Sequence, residues 1–141
     1  MKKILVINGP SLNLLGIREK EIYGKTSYKE LVSLIKNYAK NNNLQVKFYQ
    51  SNHEGKIIDK IQNLYKSIDG IVINPGAYAH YSYAIYDCIK ACNVKTIEVH
   101  ISDIYNREDF RKELVISKAC EKTIFGHGIN GYIEALEEFT E

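Results

Sequence analysis

Tyr23 lies five residues after Arg18 in a run rich in glycine and asparagine that starts at Asn8-Gly9-Pro10-Ser11 and closes at Tyr23-Gly24. A phenol beside a guanidinium can act as a base. Tyrosine titrates near pH 10 in water, so ionising it at neutrality needs a shift of about three units, roughly 4 kcal/mol of preference for phenolate. An arginine within about 4 to 6 Å supplies much of that, because guanidinium keeps its charge and stabilises the anion. The spacing equally fits a surface arginine paired with Glu19 or Glu21 and a tyrosine tucked against a sheet, since loop residues at this separation need not meet.

Glu98 and His100 form a second pair. Two residues apart in a strand, they project to one face, where the carboxylate can orient and charge the imidazole so that it donates a proton. An ordinary strand-end histidine with one hydrogen bond fits the same pattern. Arg107 and Arg111 are four apart; on a helix they make one cationic face, able to grip an anion or hydroxyls or simply to be solvated. Asn74-Pro75-Gly76 reads as an abrupt turn that aims Asn74, with His80 beyond it, at the same rim. Asp87, further along the following helix, reads as a solvent-facing acid beside an apolar stripe.

Other chemistries fit poorly. The four histidines lie in separate segments, with no pair at the close spacing of a helix-borne zinc site, so no metal is expected. Gly9 and Gly16 are separated by leucines and lead into no helix directly, which argues against a phosphate-binding loop. Asn8 is neutral where a receiver domain needs an acid. Nineteen basic and seventeen acidic residues give a net charge of +2, too balanced for a nucleic-acid or membrane surface. Cys88, Cys92 and Cys120 form neither a zinc pattern nor a disulfide framework, and the first two fit the buried stripe of a helix. The amino-terminal segment lacks a signal-peptide pattern, and no apolar run approaches the roughly 18 residues of a membrane span, so a cytoplasmic protein with a small-molecule partner is expected.

The elements that must hold these groups recur regularly. Strand-like runs occupy residues 3–7, 44–49, 70–73, 96–99 and 122–125, each followed by a segment of helical period. Ser27 and Glu30 stand at capping-box spacing before a stripe of Leu31, Val32, Ile35 and Ala39. Later stripes run through Ile57, Ile58, Ile61 and Leu64, through Tyr81, Ala84, Ile85, Cys88 and Ile89, and through Tyr132, Ile133, Leu136 and Phe139. A fourth helix is expected around residues 109–115. Five βα units in 141 residues predict a single α/β domain spanning 1–141, a flavodoxin-like three-layer sandwich with a five-stranded parallel sheet. Ligands of such sheets bind beyond the carboxyl ends of the strands, where the strand order reverses, and the loops carrying Arg18, His53, His80, His100, Arg107 and Arg111 converge there.

Six ordered motifs make the chain resemble type II 3-dehydroquinate dehydratase nearly end to end. They are Leu14-Leu15-Gly16-Ile17-Arg18-Glu19 with Tyr23-Gly24, Gln50-Ser51-Asn52-His53-Glu54-Gly55, Ile73-Asn74-Pro75-Gly76-Ala77-Tyr78-Ala79-His80, Glu98-Val99-His100-Ile101-Ser102, Arg107-Glu108-Asp109-Phe110-Arg111 and the stretch 126–132. The resemblance implies anti elimination of water from 3-dehydroquinate, the third step of the shikimate pathway, through an enolate and without metal or organic cofactor. It makes Tyr23 the base, Arg18 its activator, His100 the acid and Glu98 the group that orients it. It assigns the substrate's carboxylate and hydroxyls to Asn74, His80, Asp87, the Ile101 and Ser102 amides, and Arg111. It also implies a homo-oligomer, a dodecamer of four trimers in which a neighbour lends part of each pocket. The chain departs from the family pattern at Ser11, where asparagine is usual and helps to position the water that stabilises the enolate, and at Lys20 and Ala79, where proline and threonine are common. Ser11 motivates one alternative, a non-catalytic paralogue that binds a small polyhydroxy acid; the fold alone motivates another, a flavin-binding protein.

Overall fold

Ile4-Leu5-Val6-Ile7 is apolar without alternation because it forms the middle of a parallel strand covered on both faces, and all four side chains are buried. The computed structural model describes residues 1–17, 21 and 25–140. Its strands β1 (Lys2–Asn8), β2 (Leu44–Gln50), β3 (Gly70–Asn74), β4 (Thr96–His100) and β5 (Lys122–Phe125) pair in parallel in the order β2-β1-β3-β4-β5. This is the flavodoxin-like order, and the chain reverses its direction of travel across the sheet between β1 and β3.

Two cores lie on opposite faces of the sheet. Helices α1 (Tyr28–Asn41) and α4 (Asn130–Glu137) place Leu31, Ile35, Ala39, Tyr132, Ala135 and Leu136 against Ile4, Val6, Val72, Ile97 and Val99. On the other face, α2 (Glu54–Leu64) and α3 (Tyr83–Cys92) place Ile57, Ile61, Ile85, Cys88 and Ile89 against Leu5, Ile7, Ile71 and Ile73. Burying an aliphatic side chain of this size contributes about 1.5 to 3 kcal/mol, so each stripe fixes its helix on the sheet. Ser27 caps α1 at the expected spacing: its Oγ accepts the Glu30 amide at 3.1 Å and donates to Glu30 Oε1 at 3.1 Å, in place of the backbone bond that would complete a capping box. Burial, with Cys92 as neighbour, pushes the Cys88 thiol up to about 12, in keeping with a packing role. Among the described residues, no helix is long and apolar enough to cross a membrane.

Two sequence expectations need correction. Residues 109–115 do not form an α-helix; the connection from β4 to β5 is built of 3-10 turns at Ile104–Asn106, Asp109–Lys112 and Ile116–Ala119. Its apolar residues hold no helical stripe, since Phe110 is exposed while Val115 and Ile116 are buried, and Glu113 is extended with φ −76° and ψ 125°. Tyr81 and Ala84 also lie outside the buried stripe of α3. Ser82 caps that helix by accepting the Ile85 amide at 3.0 Å, so Tyr81 falls before its first turn and is exposed, as is Ala84.

Candidate active site

The strand ends are locked together before any site residue is placed. Asn8 and Asn74 are register partners at the ends of β1 and β3, and the Gly9 amide donates to the Asn74 carbonyl at 2.8 Å. A Cβ on Gly9 would come within 2.4 Å of the Pro75 carbonyl oxygen, so only glycine lets the two loops touch here. The loop after β2 braces the first from the other side. Gln50 Nε2 donates to the Gly9 carbonyl at 3.1 Å and to Asn52 Oδ1 at 3.2 Å, and the Ser11 amide donates to that same Oδ1 at 3.0 Å. Gln50 and Asn52 therefore shape the site from behind, a role their sequence motif did not disclose.

A cleft opens at the carboxyl ends of β1, β3 and β4. Its walls include Ser11 and Leu12 from the first loop, Asn74 and His80 from the third, and His100, Ile101, Ser102, Arg107 and Arg111 from the fourth. Eight of these nine had been singled out in the sequence; Leu12 had not. The Ile101 and Ser102 carbonyls accept the Gly128 and Gly126 amides at 3.1 and 3.0 Å, which pins the turn that follows β4.

Glu98 and His100 do share a face. Glu98 is fully buried, and its Oε2 makes a short contact with His100 Nε2, leaving Nδ1 as the other nitrogen of a ring that lines the cleft. The Cys120 thiol lies 3.9 Å from the second carboxylate oxygen, Oε1; burial and then that negative charge push the thiol well above its usual range. His80 stands opposite, its ring centroid 6.2 Å from that of His100. Its Nδ1–H donates to the Glu113 carbonyl at 2.8 Å, so the irregular connection holds the ring and leaves Nε2 as an acceptor in the neutral form. Burial lowers His80 below the ordinary histidine range, which favours its neutral form.

Arg107 and Arg111 both reach the cleft, but from separate turns and not from one helix face. Arg107 Nη1 lies 3.5 Å from Ser102 Oγ, and Arg111 Nε donates to Glu108 Oε2 at 2.6 Å. The walls carry two guanidiniums and two imidazoles, with Glu98 buried behind His100 and Glu108 paired with Arg111, so they suit an anionic ligand with several hydroxyls.

The remaining expectations divide. His53 precedes the first turn of α2 and is exposed, and His127 pairs with Glu134 at 2.6 Å on the surface; neither lines the cleft. Asp87 is exposed on α3, turned away from the face that buries Ile85, Cys88 and Ile89, and does not line the cleft of its own chain. Arg18 and Tyr23 lie outside the described residues. The stems of their loop meet: a Cβ on Gly16, at φ 85°, would fall 3.1 Å from Ser27 Cα. Among the described residues, no group of three histidine, cysteine or acidic side chains is arranged to hold a metal ion.

Comparisons with known proteins agree with this architecture. A model of the dehydroquinase class II family matches residues 2–140. A 3-dehydroquinate dehydratase of Caldicellulosiruptor saccharolyticus is 63% identical, covering 100% of this chain and 98% of its own. A second, from Clostridium acetobutylicum, is 54% identical over 95% of this chain and 93% of its own. The crystal structure of a type II dehydroquinase from Butyrivibrio crossotus superposes with a TM-score of 0.96 at 56% identity, over 97% of this chain and 96% of that one. Since the match runs from the first strand to the last helix and takes in every wall of the cleft, this chain belongs to the dehydroquinase class II family.

Proposed function

We propose that this chain acts as a single catalytic domain that converts 3-dehydroquinate to 3-dehydroshikimate and water by anti elimination through an enolate, the third step of the shikimate pathway. The observation that carries this reading is the buried Glu98 against His100 on the wall of a cationic cleft, in a chain of this family. Tyr23, activated by Arg18, takes the proton beside the ketone, and the electron pair moves into the enolate. His100 gives a proton to the departing hydroxyl, which leaves as water. Glu98 holds the imidazole in one orientation while that proton moves.

Binding follows from the chemistry of the walls. The Ile101 and Ser102 amides and Asn74 suit the substrate carboxylate, because fixed N–H groups stabilise an anion without reorganising. Neutral His80 and charged Arg111 offer an acceptor and donors to the ring hydroxyls. No metal or organic cofactor enters this scheme. Asp87, exposed with Tyr83 on the outer side of α3, is assigned to the cleft of a neighbouring copy in a dodecamer of four trimers, and the particle mass in solution checks that assembly. The enzyme is assigned to the cytoplasm.

The direct test is ultraviolet absorbance, which rises as the conjugated enone of the product appears. Measurable binding of 3-dehydroquinate with no rise would instead identify a non-catalytic paralogue. Ser11 bears on that choice. It sits at φ 68° in the left-handed region, which asparagine tolerates better than serine, and asparagine is the residue the family resemblance expects there. Ser11→Asn is therefore expected to hold or raise turnover and to raise the thermal midpoint. A large fall in turnover would show that the loop is built around serine.

A further inference from the structure

Beneath the cleft, Asn74 is tied into a chain of polar groups whose other members, Tyr132, Asn8 and Tyr28, the roles above leave unused. Tyr132, fully buried on α4, donates its hydroxyl hydrogen to Asn8 Oδ1 at 2.6 Å and accepts from Asn74 Nδ2 at 2.9 Å. Asn8 Nδ2 donates in turn to the Tyr28 hydroxyl at 3.3 Å, and Asn74 Oδ1 accepts the Gly76 amide at 3.2 Å. Phenylalanine would fill the apolar stripe of α4 as well as tyrosine does, beside Ala135 and Leu136. Burying a phenol here costs desolvation unless its oxygen bonds on both sides, which it does.

The direction of these bonds decides what the hydroxyl does. Burial holds Tyr132 above the ordinary tyrosine range, so it stays a neutral donor. With its hydrogen committed to Asn8, its oxygen can only accept from Asn74. The Asn74 amide therefore cannot flip without setting its own oxygen against a lone pair and losing the Gly76 amide, and it meets the cleft in one orientation. The far end of the chain reaches the loop that carries Arg18 and Tyr23: Asn8 ends β1 at one stem, and Tyr28 opens α1 at the other.

We propose that Tyr132 is a positioning residue for the elimination, orienting Asn74 toward substrate and tying it to both stems of the loop that bears the base. The inference rests on the dehydratase reading and on Asn74 as a substrate-holding group.

Steady-state kinetics of the full chain with 3-dehydroquinate test it. Tyr132→Phe is expected to raise KM about tenfold and lower kcat severalfold, because the amide it orients is free to turn. In an Asn74→Ala background the same change should move KM by less than about twofold, since its target is already gone. A folded Tyr132→Phe with unchanged KM, or fully additive effects with Asn74→Ala, would overturn the proposal. Tyr28→Phe alters only a half-buried side chain and keeps the test open if the deeper variant folds poorly: kcat should fall roughly threefold with KM unchanged. An unchanged kcat there would overturn the link to the loop. Inactivity of the unaltered chain would sink the dehydratase reading and this inference together, whereas an active enzyme with silent Tyr132 and Tyr28 variants would sink the inference alone.

Discussion

Tyr23→Phe is expected to cut turnover by at least about two orders of magnitude while leaving substrate binding nearly intact. The change removes one oxygen, the atom that on the proposed reading acts as the base. Binding should survive because the groups assigned to the carboxylate and hydroxyls sit at the end of β3, in the turn after it, on α3 and in the connection after β4, not on the loop that carries Tyr23. That loop leaves the cleft wall at Leu12 and rejoins the fold at Ser27, and it is anchored at its start by Leu12 and Leu15, both buried. Single-turnover measurements of enone formation, beside a titration of ligand binding, separate the two effects. Wild-type turnover in the variant would remove Tyr23 from the mechanism and leave the cleft without its assigned base.

His100→Ala should be as severe for turnover and worse for stability. Loss of a general acid typically costs about 10²- to 10⁴-fold in rate. Loss of the imidazole also leaves the Glu98 side chain fully buried without its hydrogen-bond partner, a change that typically costs about 1 to 3 kcal/mol or more for a charged group. The nearby Cys120 thiol is a weak donor at 3.9 Å and cannot replace it. Adding Glu98→Gln removes the stranded charge, so the double variant should regain a large part of the denaturation midpoint and none of the turnover. Recovery of both would mean that His100 serves the fold and that another group protonates the leaving hydroxyl. Failure to recover stability would mean that the loss lies in packing around the imidazole and not in the unpartnered Glu98 side chain.

The regular elements were legible in the sequence because their signals are local. Four consecutive apolar residues in β1, the three- and four-residue spacing of Leu31, Ile35 and Ala39, and the Ser27 cap with Glu30 each depend on neighbours within about one or two turns. All five strands and four helices appear where that reasoning puts them. The fourth connection was misread because its fold does not follow from its own periodicity. It lacks a stripe and instead takes its shape from what it must reach, lending the Glu113 carbonyl to His80 and both arginines to the cleft.

Residue types and strand ends singled out Asn74, His80, Glu98, His100 and Arg111 in the sequence, since groups at the carboxyl edge of a parallel sheet face a common rim. Which of them meet was decided only by the tertiary structure. His53 and His127 also stand in loops after strands, yet the turns that lead into α2 and α4 leave both at the surface. Tyr132 looked like one more apolar position on a helix stripe. Only folding brings its hydroxyl to Asn8, 124 residues away, and to Asn74, 58 away. Local patterning encodes which face of an element is buried; it does not encode which buried polar atom from a distant element will arrive to complete a hydrogen bond.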